Sequence, residues 1–277
     1  MLISLVVLLS LLIALGAVLA AEMALLVEIC LFAGVALGAF LMIVLILFLL
    51  AWVPSLILDP EYECHEDSKY FRMLVKYYAP AVFTFLRTKI QITGMEKMPA
   101  KGRFMLVCNH IADLDSGVML AAFRNYQLGF LAKKETKGYF FIGSLMSRIG
   151  CQFIDRENDR NALKSILNAI RLVKEDKVSM MGFPEGAIIE DGRKLHHFRS
   201  GIFKVAMKPQ VPVVVCTIRG TPDILPNIRR LKPSVVDLRI LDVVSPEEYA
   251  GWKTPQLAER VYDIMRADLG PEADGSL

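Results

Sequence analysis

"RFMLVCNHIADLDS", residues 103–116, reads as a strand, a turn and the start of a helix. After one arginine comes an unbroken apolar run, 104–108, short enough for a strand buried on both faces. Asn109 and His110 break the run, and a helix is expected to start near Asp113. That puts His110 at a strand's end, where α/β folds commonly build active sites. Two aspartates are candidates to orient the imidazole, Asp113 and Asp115. Within one helix, a partner five positions on would lie about 140° around the axis. Asp115 can therefore pair with His110 only if His110 precedes the helix and the loop folds back. Asp113 needs less contortion, or it can serve as a helix cap. The residues alone leave both open.

The same alternation continues on both sides. Strands are expected at 89–93, 103–108, 128–132, 151–154, 178–183, 211–218 and 236–241. Helical stretches lie between them. The clearest is "NALKSILNAIRLVKED" (161–176), with Leu163, Ile166, Leu167, Ile170 and Val173 on one stripe. Near the end, Thr254 and Pro255 suit the N-cap and first position of a helix that Gly270 closes. The fold class that follows is α/β, a mostly parallel central sheet flanked by helices.

The front of the chain differs in kind. Mean hydropathy is +0.43 over the 277 residues, and the excess lies in residues 1–58. That stretch has no Lys or Arg and two acids, Glu22 and Glu28. All 32 basic residues lie beyond it, with 27 of the 29 acids, so the remainder carries about +5. Two apolar runs, 2–21 and about 29–53, are each long enough to cross a hydrocarbon core of roughly 20 helical residues. One unbroken helix over both would be about 78 Å long, so a turn is expected between Glu22 and Glu28. We therefore divide the chain into a two-helix membrane anchor, 1–58, and a catalytic domain, 59–277. Lys69, Arg72, Lys76, Arg87 and Lys89 follow the anchor and place that domain on the cytoplasmic side. Residues 66–87 carry Tyr70, Phe71, Leu74, Val75 and Tyr78 at helical spacing between basic residues. This is the pattern of an interfacial amphipathic helix, which Pro80 would kink or end.

The five cysteines are scattered, with no CxxC spacing, and read as reduced thiols. No zinc pattern is present. Further polar groups fall at strand ends. Glu185 and Gly186 lie in "FPEG" (183–186), Asp155 and Arg156 in "FIDREN" (153–158), and Lys133 and Lys134 in "AKKE" (132–135). Each has a plainer reading, as turn chemistry or a surface ion pair. His196 and His197, in a polar loop, read as solvated. Together the strand-end groups say more than any one of them.

The order "NHIADLD", "GCQFIDR", "FPEG" and "VPVV" resembles the four motifs of the glycerolipid acyltransferases, most closely the bacterial 1-acyl-glycerol-3-phosphate type. The resemblance spans roughly residues 90–220. The family's His-x4-Asp motif selects His110 and Asp115 as the catalytic pair. It implies that Lys133, Arg156, Glu185 and Gly186 serve substrate binding, with Val211 and Pro212 as the Val-Pro pair. It also implies acyl-CoA or acyl-carrier protein as substrate, a lysophospholipid acceptor, a membrane setting, and no metal or bound cofactor. This chain departs from the pattern at three positions. Ala112 stands where Ser is common, and Ala187 and Ile188 replace a Thr and a phosphate-binding Arg. Arg193 or Arg199 is the candidate replacement for that arginine. Other acyl acceptors, water as acceptor, and a non-catalytic lipid-binding protein are the rival readings.

Overall fold

In the computed structural model the described residues are 2–19, 25–57, 68–188 and 194–273. Among them are seven strands, each overlapping a run expected from the sequence. They are β1 (Thr88–Thr93), β2 (Met105–Cys108), β3 (Leu128–Lys133), β4 (Gln152–Ile154), β5 (Ser179–Gly182), β6 (Val213–Arg219) and β7 (Ser234–Val244). Their order in the sheet is β1-β7-β6-β2-β5-β3-β4. β6, β2, β5, β3 and β4 are mutually parallel, β7 runs antiparallel to β6, and β1 runs parallel to β7. The C-terminal ends of the five parallel strands therefore share one edge of the sheet, and the loops that leave that edge carry the polar motifs.

The central strands are short apolar runs because both faces are covered. Every residue of β2 and β5 is buried. On one face, Met105, Val107, Met180, Val213 and Val215 pack with α6 (Asp159–Lys174), α7 (Lys204–Met207) and α9 (Thr254–Leu269). α3 (Lys69–Phe85) and α4 (Asp115–Ala122) pack against each other, and both touch β1. The other helices of this part of the chain are α5 (Ile142–Arg148) and α8 (Ile224–Arg229).

Three local expectations change. α6 buries Ile166, Ala169, Ile170, Leu172 and Val173, while Leu163 and Leu167 are exposed. Small Ala169 lets the helix approach the sheet on a face rotated away from Leu163 and Leu167. α9 is capped at Lys253, whose N–H donates to Gln256 Oε1 at 2.8 Å, so Thr254 is already helical. α3 runs through Pro80 to Phe85. Most of the stripe assigned to a lipid interface packs inward, with Phe71, Leu74 and Val75 buried alongside Phe83. Arg72 then anchors the helix, donating from Nη1 to Leu128 O at 2.8 Å and from Nη2 to Ile149 O at 2.7 Å. The outward face carries Tyr70, Met73, Tyr77, Val82 and Phe85.

Residues 1–59 form a separate compact unit from residues 60–277. In it α1 (Leu2–Leu19) and α2 (Leu25–Ile57) pack together. Val6, Ser10 and Ala14 are buried at four-residue spacing, and Ser10 Oγ donates to Val6 O. α2 contains a 28-residue segment, Val27–Pro54, long and apolar enough to cross a membrane. The apolar part of α1, Leu2–Ala17, is shorter, so among the described residues the expectation of two full spans is met by one helix. Glu28 already sits in the first turn of α2, which moves any turn upstream, and Glu22 lies outside the described residues.

Arg72 tests whether α3 is part of the catalytic body. Arg72→Met removes two hydrogen bonds from a charged donor and should cost about 1–3 kcal/mol, read as a lower unfolding midpoint of the detergent-solubilised protein. An unchanged midpoint would mean that α3 is not held by these carbonyls.

Candidate active site

The site begins where β2 ends. Asn109 is fully buried and ties this end to β6: Oδ1 accepts from Ile218 N–H at 2.8 Å, and Nδ2 donates to Ile218 O and Lys194 O. The chain then turns back on itself before α4 starts. Asp115, the first residue of α4, has no accessible surface, and its Oδ2 accepts the N–H groups of Ile111 (2.7 Å) and Ala112 (2.9 Å). The same oxygen lies 2.9 Å from His110 Nδ1. An ionised carboxylate can only accept, so Nδ1 carries the proton, and Nε2 is left as the basic nitrogen. Asp113 is exposed in the turn and does not cap α4, whose N-cap is Leu114. The helical-wheel objection to Asp115 fails because His110 lies outside the helix.

Phe183, just past β5, stacks on the imidazole with ring centroids 4.0 Å apart and planes 10° from parallel. Two residues on, Glu185 Oε1 accepts the His110 N–H at 2.8 Å. Its Oε2 accepts the His196 N–H at 3.1 Å and lies 2.8 Å from His196 Nδ1. The Glu185 side chain is wholly buried and both its oxygens are engaged. Burial pushes its carboxyl above the ordinary value, and the His110 N–H and His196 pull it partly back.

Gly186 has φ +79°, and a Cβ there would meet Arg199 Nε at 2.9 Å, so this guanidinium lies on the glycine. Arg199 is held from behind by its N–H donating to Pro184 O at 2.8 Å. Its charge reaches Arg156 at the exit of β4. Burial first, then repulsion from Arg199, lowers the Arg156 guanidinium below its usual range. Two cations brought together at this edge of the sheet make a place for a multiply charged anion.

The acyltransferase family profile matches residues 89–219, the stretch that holds the histidine, the carboxylates and Arg156 and Arg199. Residues 89–219 are an acyltransferase-family domain. A probable 1-acyl-sn-glycerol-3-phosphate acyltransferase of Mycoplasma pneumoniae is 29% identical over 204 residues, covering 71% of this chain and 75% of that one. A chloroplastic 1-acyl-sn-glycerol-3-phosphate acyltransferase of Brassica napus is 32% identical over 187 residues, covering 67% of this chain and 52% of that one. The crystal structure of the 1-acyl-sn-glycerophosphate acyltransferase PlsC from Thermotoga maritima superposes with a TM-score of 0.60 at 25% identity, covering 73% of this chain and 79% of that one.

In this acyltransferase, then, His110, Asp115, Glu185, Gly186 and Arg199 meet at one place, with Arg156 close enough to feel Arg199. Lys133 ends β3 with a half-exposed side chain 3.6 Å from Glu135, and among the described residues no contact joins it to the two arginines. Asp155 pairs with Lys134 at 2.9 Å, which leaves the neighbouring Arg156 to the site. Arg193 lies outside the described residues. Two readings are corrected. Glu185, expected at the substrate, is buried and its two oxygens bond the His110 N–H and His196. His196 is buried and serves Glu185, while His197 is exposed. Phe183 and Asn109 went unrecognised, although both stand inside the quoted motifs.

Cys108 and Cys216, opposite each other on β2 and β6, are buried, and burial raises both thiols well above their ordinary range. Neither can supply a thiolate at neutral pH.

His196→Ala removes a contact that favours ionised Glu185, so the carboxyl should rise further. The acid limb of the pH–rate profile should move to higher pH, and His196→Asn, which retains a donor, should restore part of the shift. An acid limb in the same place for His196→Ala would separate Glu185 ionisation from activity.

Proposed function

We propose that the protein moves a fatty acyl group from a thioester to the free hydroxyl of 1-acyl-glycerol-3-phosphate, forming phosphatidic acid. The observation that carries this is the His110–Asp115 pair, with Nδ1 tied to a buried carboxylate and Nε2 left to act. Nε2 takes the hydroxyl proton as the oxygen attacks the thioester carbonyl. The C–O bond forms, the tetrahedral species collapses with loss of the C–S bond, and the imidazolium returns its proton to the leaving thiolate. Asp115 fixes the tautomer and stabilises the imidazolium, as in a serine-type triad in which the substrate supplies the hydroxyl. Arg156 and Arg199 bind the acceptor's phosphate. The relatives named for 1-acyl-sn-glycerol-3-phosphate support this acceptor. The donor is acyl-CoA or acyl-carrier protein, and neither a metal nor a bound cofactor enters the scheme. The basic residues that follow α2 face the cytoplasm, and the domain with them.

A second reading keeps the chemistry and changes the acceptor. Ile188 stands where the family places a phosphate-binding arginine, which favours a different lysophospholipid. Arg199 answers this in part by delivering a guanidinium to Gly186 from another loop.

The mechanism is tested with purified protein, a labelled acyl donor and separate Asp113→Asn and Asp115→Asn variants. Asp115→Asn should lower kcat by about 10⁴ and Asp113→Asn should change it little; the reverse would overturn the pairing. Arg199→Ala should raise the KM for 1-acyl-glycerol-3-phosphate about 10–100-fold, the loss of one charged hydrogen-bonding group. Equal use of acceptors with and without a terminal phosphate monoester, unaffected by Arg199→Ala, would move the protein to the second reading.

A further inference from the structure

β3 ends on the same sheet edge as His110 and Arg156, and the chain leaves it through a 3₁₀ turn, Lys134–Gly138, into α5. Where they join, Tyr139, Phe140 and Ile142, the last being the first residue of α5, are 58%, 68% and 48% exposed. A scattered exposed apolar residue needs no explanation, but three within four positions do.

The segment is closed by its own backbone. Thr136 Oγ1 donates to Lys133 O at 2.6 Å, and Tyr139 N–H donates to Thr136 O at 3.2 Å. Gly143 N–H donates to Tyr139 O at 2.9 Å, and Leu145 N–H to Phe141 O at 3.0 Å. Any side chain at Gly143 would collide with the carbonyl of Lys137. Phe141 is held at φ +62°, a conformation that bulky residues adopt only when their surroundings impose it. A tightly folded turn thus uses a strained backbone to hold three large apolar side chains with much of their surface exposed.

We propose that this turn is a lipid-inserting wedge, with Tyr139, Phe140 and Ile142 entering the acyl region of a bilayer beside the active-site edge. Three observations select lipid as the occupant. α2 is long and apolar enough to put the chain at a membrane in any case. Lys133 and Lys134, just before the apolar tip, have 52% and 62% exposed side chains, and a phosphate headgroup can compete for their surface pairs with Glu135 and Asp155. The wedge also leaves the sheet on the edge where a lipid acceptor must arrive, and this last point rests on the acyltransferase reading above. Inserted there, the turn would set the depth of the site relative to the headgroups, independently of α2.

The test uses the full-length protein reconstituted in phosphatidylcholine–phosphatidylglycerol vesicles whose acyl chains are brominated or not. Phe140→Trp adds a reporter to the two native tryptophans, Trp52 and Trp252. Its added emission should fall about twofold with brominated chains. The control Glu175→Trp sits just past the C-terminal end of α6, on the opposite edge of the sheet, and its added emission should be unchanged. Added emission from the Phe140→Trp variant that brominated chains do not quench would overturn the proposal. So would a concentration-dependent blue shift of that emission without quenching, which would assign the turn to contact between copies. In a second arm, serine replaces Tyr139, Phe140 and Ile142 together. Activity should drop about tenfold on an acceptor presented in vesicles and stay unchanged on the same acceptor in detergent micelles. Quenching is read without turnover, so failure of the catalytic reading leaves that result standing, and failure of the wedge leaves the catalytic reading intact.

Discussion

A single oxygen, Oδ2 of Asp115, receives two backbone N–H groups and the imidazole of His110. A loop of four residues must fold back on the start of a helix to satisfy it. The carboxylate is wholly inside the protein, where an unsatisfied charge is expensive, so the loop has few alternatives once β2 and α4 are in place. The imidazole is therefore oriented by the same force that shapes the backbone around it. Glu185 repeats the device from the next strand. It too is buried, and it holds the N–H of His110 rather than the ring. One carboxylate, at the start of α4, fixes the side chain of His110, and the other, past the end of β5, fixes its main chain.

This arrangement explains why the polar motifs scatter in sequence and meet in space. Five parallel strands deliver their loops to one edge, so Glu185 bonds the main chain of His110 without being near it in the chain. β7 runs antiparallel to β6 and carries β1 on its outer side, and α9 packs against both β6 and β7. Arg199 reaches the site from a loop that returns after Glu185, and it needs Gly186 to make room.

Much of the fold was legible because the buried strands are mostly apolar, with few polar residues such as Ser179 and Thr217 among them. An unbroken run such as residues 104–108 has little choice but a fully covered strand. What periodicity could not say is what a stripe packs upon. The apolar face of α3 suited a membrane as well as a protein core, and only the reach of Arg72 to two distant carbonyls decides it. In α6 the stripe was centred on its leucines, whereas the sheet selects the face with Ala169. At the site, geometry drawn on an ideal helix favoured Asp113, because the start of α4 could not be placed to within two residues. His196 was illegible for a different reason. Its partner lies eleven residues back across a loop, and no local spacing encodes that return.

The two buried thiols on β2 and β6 bear on the order of events. With Cys108 and Cys216 held as neutral groups inside the sheet, neither offers the acyl group a place to rest between donor and acceptor. The proposed direct attack by the acceptor oxygen then requires both substrates in the site at once, and its kinetics would take a sequential form. On that proposal throughput would depend on how often acceptor and loaded donor coincide, so the supply of acceptor would become as much a determinant of rate as the chemistry.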